Sequence, residues 1–239
     1  GNPGSVTIKI TNIDKKVPEY KPENWFITVE VDANAINPYL MPEQVTEILE
    51  SQKQYITDDN VVNVVEDKWW NQNSSKLDIR KIGNYANSFS FYITDAAGNR
   101  INPRLTVKVI DTTAPIIDLG DIGAITTHEL NSPFVDINPT ATDNSGETIS
   151  VILNKVVYAP TQTELETSTE FLTEVDVSRL GWYKLEYKAE DSSGNIAYAT
   201  RIVQVIDTTA PEYEVDYLPI NPTYDSVTVT ITTNEQATI

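Results

Sequence analysis

Gly181-Trp-Tyr-Lys-Leu-Glu-Tyr-Lys-Ala-Glu-Asp191-Ser-Ser-Gly194-Asn195, followed at Arg201 by Ile-Val-Gln-Val-Ile-Asp207-Thr-Thr-Ala-Pro211, is the stretch whose reading decides the fold. Over residues 183–189, Tyr, Leu and Tyr alternate with Lys, Glu and Lys. A period of two places the apolar groups on one face, as a half-buried strand requires. Asp-x-x-Gly-Asn then turns the chain, because Gly reaches positive φ and the Asp and Asn side chains can bond their own backbone. Residues 201–206 read as the returning strand of a hairpin. Proline fixes φ and offers no N–H, so Asp-Thr-Thr-Ala-Pro ends the ladder in a short, stiff join.

The same pattern occurs earlier. Asp95-Ala-Ala-Gly98-Asn99 precedes Asp191-Ser-Ser-Gly194-Asn195 by 96 residues, and Asp111-Thr-Thr-Ala-Pro115 precedes Asp207-Thr-Thr-Ala-Pro211 by the same 96. Residues 88–94 (SFSFYIT) and 105–110 (LTVKVI) supply the matching strands. A β-sandwich module runs to about 100 residues. The expected fold is therefore all-β: tandem sandwiches over 1–110 and 115–206, and the start of a third over 211–239. The interdomain joins fall at Asp111 to Pro115 and Asp207 to Pro211. Residues 36–80 fit the pattern least and form an expected insertion in the first module. Val45, Ile48 and Leu49 at helical spacing, with Pro42 in a first turn, predict a short helix there. That insertion either carries binding or covers an open edge.

The motif from Gly181 to Pro211 resembles the tandem immunoglobulin-like domains of bacterial secreted and cell-surface proteins. Pro115-Ile-Ile-Asp-Leu is similar to that family's first strand, and Ala141-Thr-Asp-Asn-Ser-Gly146 to its A-x-D-N-x-x-G loop. The resemblance spans nearly all of 115–211, and in the first half the segments near 5–12 and 82–115. It implies immunoglobulin-like sandwiches, an extracellular or bacterial cell-surface location, and a non-enzymatic spacer or adhesive role that presents a functional region away from the cell. Two alternatives stand beside it: an extracellular ligand- or carbohydrate-binding accessory module, and a subunit of a self-assembling coat or fibre.

Asn2-Pro-Gly-Ser-Val-Thr-Ile-Lys-Ile-Thr-Asn12 matches residues 221–234 with a two-residue insertion. On this reading the first module begins one strand late and the third stops after two strands, as if cut from a longer array. An open edge invites pairing with another chain. Self-association would follow if residues 212–218 of one copy filled the first module of another; otherwise that strand is simply absent.

Charge narrows the partners. The chain has 35 acidic and 17 basic residues and a net charge of −18. Nucleic acid and anionic lipid are poor partners, since both need Lys and Arg against their phosphates. No apolar run approaches the roughly 18 residues of a membrane span, so membrane insertion is not expected. An extracellular protein or glycan remains. The chain has no Cys and one His, His128, which removes thiolate chemistry, Cys-type zinc sites and the usual catalytic triad.

Candidate site residues are few. Asp111 and Asp207 at the joins, with Asp143, Asp191 and Asp95 in loops, could gather around calcium, which takes 6–8 oxygen ligands. No segment has the spacing of a self-contained calcium loop, and Asp in Asp-x-x-Gly-Asn has a turn role without an ion. No cofactor is therefore expected, calcium being the one alternative. Trp69 and Trp70 could stack on a sugar or anchor a protein, or else cap a sandwich end with both rings buried. Trp25 and Trp182 read as structural. Glu164/Glu166 and Glu174/Asp176 superficially suit acid–base work, but among 35 acids such pairs arise by chance. Lys9 alternates with apolar neighbours and faces water, so a Lys–Asn cross-link is not expected.

Overall fold

The alternation over 88–94 and 105–110 builds a sheet around one long strand. The computed structural model describes residues 14–58, 60–73, 76–121, 125–217 and 229–233. In chain order, the first half contains β1 (Glu19–Tyr20), β2 (Phe26–Glu30), α1 (Pro42–Gln52), β3 (Ile56–Thr57), β4 (Val61–Glu66), α2 (Lys68–Asn73), β5 (Gly83–Asp95), β6 (Arg100–Ile101) and β7 (Arg104–Ile110). The sheet order is β2-β7-β5-β4, with β6 on β5, while β1 pairs separately with β3. Alternate residues Phe89, Phe91 and Ile93 of β5 and Leu105, Val107 and Val109 of β7 form the core. Each such side chain stabilises the fold by about 1.5–3 kcal/mol on burial. The expected helix is present as α1. It adds Val45 and Ile48 to this core, and Gln44 Oε1 accepts the Met41 N–H at 2.8 Å, closing its first turn.

One stretch of β5 breaks the simple alternation. Ser88, Phe89, Ser90 and Phe91 are all buried. The polar face is covered because α2 and the residue before it stand in for a strand neighbour. Asn71 Oδ1 accepts the Ser90 N–H at 2.8 Å. Asn71 Nδ2 donates to Ser90 O at 3.3 Å, and the Asp67 N–H donates to the same oxygen at 2.9 Å. Backbone groups that would otherwise be buried unpaired are thereby satisfied. Among its described residues the 36–80 segment thus adds a 3-10 turn (Lys53–Tyr55), α2, β3 and β4 to the expected helix.

The second half contains β8 (Ile116–Asp118), β9 (Ile125–Glu129), β10 (Thr140–Thr142), β11 (Val151–Ala159), β12 (Glu170–Leu172), β13 (Gly181–Glu190) and β14 (Ile196–Ile206). Its main sheet runs β12-β11-β13-β14-β9, and β8 pairs with β10. As the alternation predicts, Tyr183, Leu185, Tyr187 and Ala189 are buried, with Val203 and Val205 from β14. An antiparallel pair, β15 (Tyr213–Tyr217) and β16 (Val229–Thr233), follows. The expected strand near 5–12, Lys9 and most of the matching segment 221–234 lie outside the described residues.

Both sheets share a feature of topology. β2 pairs with β7 in parallel, from Phe26↔Thr106 to Glu30↔Ile110. β9 pairs with β14 in parallel, from Ile125↔Ile202 to Glu129↔Ile206. Beside β7, then, β2 holds the place that β9 holds beside β14. By backbone contacts the chain divides into two compact units. One takes residues up to Asp118 with Pro139–Ile152 and Lys188–Tyr198; the other takes Leu119–Asn138, Leu153–Tyr187 and everything from Ala199.

Candidate functional site

The two Asp-x-x-Gly-Asn turns are built alike. Asp95 Oδ1 accepts the Asn99 N–H at 2.8 Å and Oδ2 accepts from Asn99 Nδ2 at 2.8 Å. Asp191 does the same with Asn195, at 2.8 Å in each case. Gly98 and Gly194 adopt φ of +86° and +89°. For both carboxyls burial works to raise the pKa, and the Asn and backbone hydrogen bonds outweigh it and hold the group below its ordinary value. The turn role assigned to these residues is what the structure contains.

The two Asp-Thr-Thr-Ala-Pro segments each have a glutamate partner that sequence reading missed. Glu30, the last residue of β2, accepts the Thr112 N–H at 2.8 Å, the Thr112 hydroxyl at 2.9 Å and the Thr113 hydroxyl at 2.8 Å. Glu129, the last residue of β9, accepts the Thr208 hydroxyl at 2.6 Å and the Thr209 hydroxyl at 2.9 Å. The parallel strand thus ends in an acid that clamps the chain as it leaves the sheet. At Glu30, burial opposes ionisation, yet the Thr112, Thr113 and Asn144 donors pull its pKa down to about 2. A depressed carboxylate contributes stability that is fully present above its unfolded pKa and lost as pH falls through the folded one. Urea unfolding of Glu30→Gln should therefore lose less stability than the parent between pH 4.5 and pH 2, the window set by the ordinary and lowered values. Equal acid slopes would contradict the clamp.

One clamp sits in an acidic surround. Asp111, Glu147 and Asp191 each place a carboxylate oxygen within 4.8 Å of the others. Glu147 Oε1 accepts the Ser192 N–H at 2.8 Å, and Asn195 Nδ2 donates to Asp111 O at 3.3 Å. The loop holding Asp143 and Asn144 completes the wall. Asn144 Nδ2 donates to Val31 O at 3.0 Å and to Glu30 Oε1 at 3.1 Å. The Ala33 N–H donates back to Asn144 O at 2.9 Å. Gly146, at φ +72°, lets this loop approach, since a Cβ there would lie 2.8 Å from Ala33 Cβ. Burial, then the charges of Asp143 and Asp191 and the contact with Glu30, raise the Asp111 pKa against the Thr113 amide that lowers it. Of the aspartates singled out in the sequence, Asp143 and Asp191 act on Asp111, whereas Asp207 is exposed and accepts the Thr209 N–H at 3.1 Å. Glu147 gave no signal in the sequence.

The tryptophans separate. Trp69 is 68% exposed. Trp70 is half-buried and serves a bulge in β5, where pairing with β7 jumps from Tyr85↔Val107 to Phe89↔Leu105. Asn87 there adopts φ +52°, a conformation Asn tolerates better than most residues. The Trp70 indole N–H donates to Asn87 O at 3.0 Å, and the Arg104 guanidinium lies 3.5 Å from a Trp70 ring centroid. Of the two readings of this pair, the one that buries both rings does not hold, because α2 points adjacent residues in different directions and leaves Trp69 exposed. Trp25 is also more exposed than expected, at 55%, although it meets Tyr20 edge-on. His128 lies 3.0 Å from Ser132 O and edge-on to Phe134. Glu166 pairs with Lys184, and Asp176 accepts from Ser178.

Residues 125–205, which hold β9 to β14 and the second turn, match the family described as bacterial surface protein, Ig-like domain. This segment is similar to the Ig-like domains of that family. No curated protein matches the chain. Among solved structures, the fibronectin(III)-like modules of Clostridium thermocellum CbhA are 18% identical, with 53% of this chain and 64% of that one covered and a TM-score of 0.26. Human CDH23 EC21-23 is 16% identical, covering 89% and 85%, with a TM-score of 0.31. Protocadherin Gamma B7 extracellular cadherin domains 1-4 are 10% identical, covering 92% and 60%, at 0.33. The described residues are mostly β, and among them no helix is long and apolar enough to cross a membrane.

Proposed function

We propose that the chain is an extracellular spacer of a bacterial surface protein, built to bear tension along its length. The observation that supports this most directly is the parallel pairing of β2 with β7 and of β9 with β14. Tension that enters the start of the opening strand and leaves at the end of the closing one loads every hydrogen bond between them at once, in shear. An antiparallel end pair would open one bond at a time. The match of residues 125–205 to a surface-protein domain supports the location, and the −18 charge keeps such modules from sticking to one another. A spacer also gains from an ion that ties loops together, and calcium suits carboxylate oxygens.

Single-molecule pulling tests the reading, and the lack of cysteine makes handles easy to place. With handles at the two chain ends, unfolding should occur in discrete steps. The force should be several-fold higher than with handles at Asn131 and Asp207, which peel β9 from β14. Equal forces in both geometries would remove the mechanical reading. A ligand-binding module is favoured by one observation, the exposed indole of Trp69. Saturable glycan binding by the full chain, abolished by Trp69→Ala, would put that reading first.

A further inference from the structure

Asp111 is 8% exposed, and its Oδ2 is buried without a hydrogen-bond partner. Two more buried oxygens in the adjoining loop, Asp143 Oδ2 and Asn144 Oδ1, accept no hydrogen bond either. A buried acceptor left unpaired costs about 1–3 kcal/mol, and more when charged. Here three of them accompany a triad of carboxylates, Asp111, Glu147 and Asp191, whose oxygens lie within 4.8 Å of one another. Among the described residues no Lys or Arg pairs with any member of the triad.

We infer that Asp111, Glu147 and Asp191, with Asp143 and Asn144 beside them, form a binding site for calcium. Two oxygens on opposite sides of a calcium ion, at about 2.3–2.6 Å each, stand roughly 5 Å apart, which fits the triad. Magnesium, at about 2.0–2.1 Å, needs a tighter octahedron and keeps its waters more firmly. Thiolate- or imidazole-seeking metals find only oxygen here. The ligands come from three separate pieces of chain, namely the residue after β7, the loop after β10, and the β13–β14 turn. One ion would therefore cross-link segments distant in sequence, and the Glu30 clamp would share in its effect through Asn144, whose Nδ2 reaches Glu30. This inference stands on the geometry, independently of any mechanical role.

The test uses the full chain, freed of divalent ions and titrated with calcium chloride. Calorimetry should show saturable binding. At a hundredfold excess over Kd the unfolding temperature should rise by roughly 5–10 °C over that in a chelator. Asp111→Asn should lose the heat and the rise while folding normally without calcium, since it removes a buried charge from a crowded acidic group. Asp207→Asn, at the exposed counterpart, should keep both. Asp191 is unsuitable for substitution because both its oxygens hold the turn. The site is refuted if sodium chloride of equal ionic strength reproduces the rise, if Asp207→Asn abolishes it as fully as Asp111→Asn, or if no saturable heat is seen.

Discussion

Gly181→Ala is expected to lower the unfolding free energy by about 2–5 kcal/mol in urea titrations, combining backbone strain with overpacking. Gly181 opens β13 at φ +145°, a conformation that residues with a Cβ rarely adopt. An added Cβ would lie 2.5 Å from Tyr158 Cε2 and 2.8 Å from Ala159 O. The ring is not free to swing aside, since Tyr158 donates to Leu180 O at 2.9 Å and packs on Tyr183 at 5.1 Å between centroids. The carbonyl belongs to β11 and cannot move without disturbing the sheet. Gly194→Ala is the control, with positive φ but nothing within 4 Å of the added Cβ, and should cost only about 1 kcal/mol. Equal losses at the two positions would show that the close approach to β11 contributes nothing.

The second large effect is expected at Arg201. Its side chain is 5% exposed and forms an ion pair with Asp136, while its Nε donates to Tyr187 Oη at 3.0 Å. Tyr187 donates in turn to Asp136 Oδ1 at 2.8 Å. Burial first, and then the hydrogen bond to Asp136, push the Tyr187 hydroxyl up to about 12, so it stays a donor at any ordinary pH. Arg201→Met should cost about 2–4 kcal/mol, because Asp136 then loses its cation in a partly dry setting. Adding Asp136→Leu should restore part of that loss, since it removes the stranded charge. Additive losses in the double variant would mean that the pair is not coupled.

Much of the fold was legible because it rests on local patterns. Residues 183–189 alternate cleanly and are buried as the alternation requires, and the Asp-x-x-Gly-Asn turns hold their shape by contacts within five residues. α1 was legible for the same reason, from Val45 and Ile48 on one face. What escaped depends on distant partners. Glu30 and Glu129 look like ordinary strand-end acids until Thr112 and Thr208 arrive from about 80 residues away. Trp69-Trp70 sits in a six-residue helix, too short to show a period. Its role at the Asn87 bulge depends on a register shift that no local signal encodes. Arg201 shares the inward parity of Val203 and Val205, so its burial could be read from the alternation, but its partner Asp136 could not. The acidic site was half legible: Asp111, Asp143 and Asp191 stood out by motif, while Glu147 joins them only through the folded loop.

The parallel pairs also set when each sheet can be finished. Among the described residues β2 pairs with no strand before β7, some 75 residues later, and β9 with none before β14, so each waits until that partner has left the ribosome. At roughly 5–20 residues per second that is a delay of several seconds, during which an apolar strand stays solvated and unmatched. Pairings so remote in sequence also slow the search once the chain is complete. The order of synthesis therefore exposes the opening strand of each five-stranded sheet to whatever meets it first, and a chaperone or export factor that shields such strands would raise the yield of folded protein.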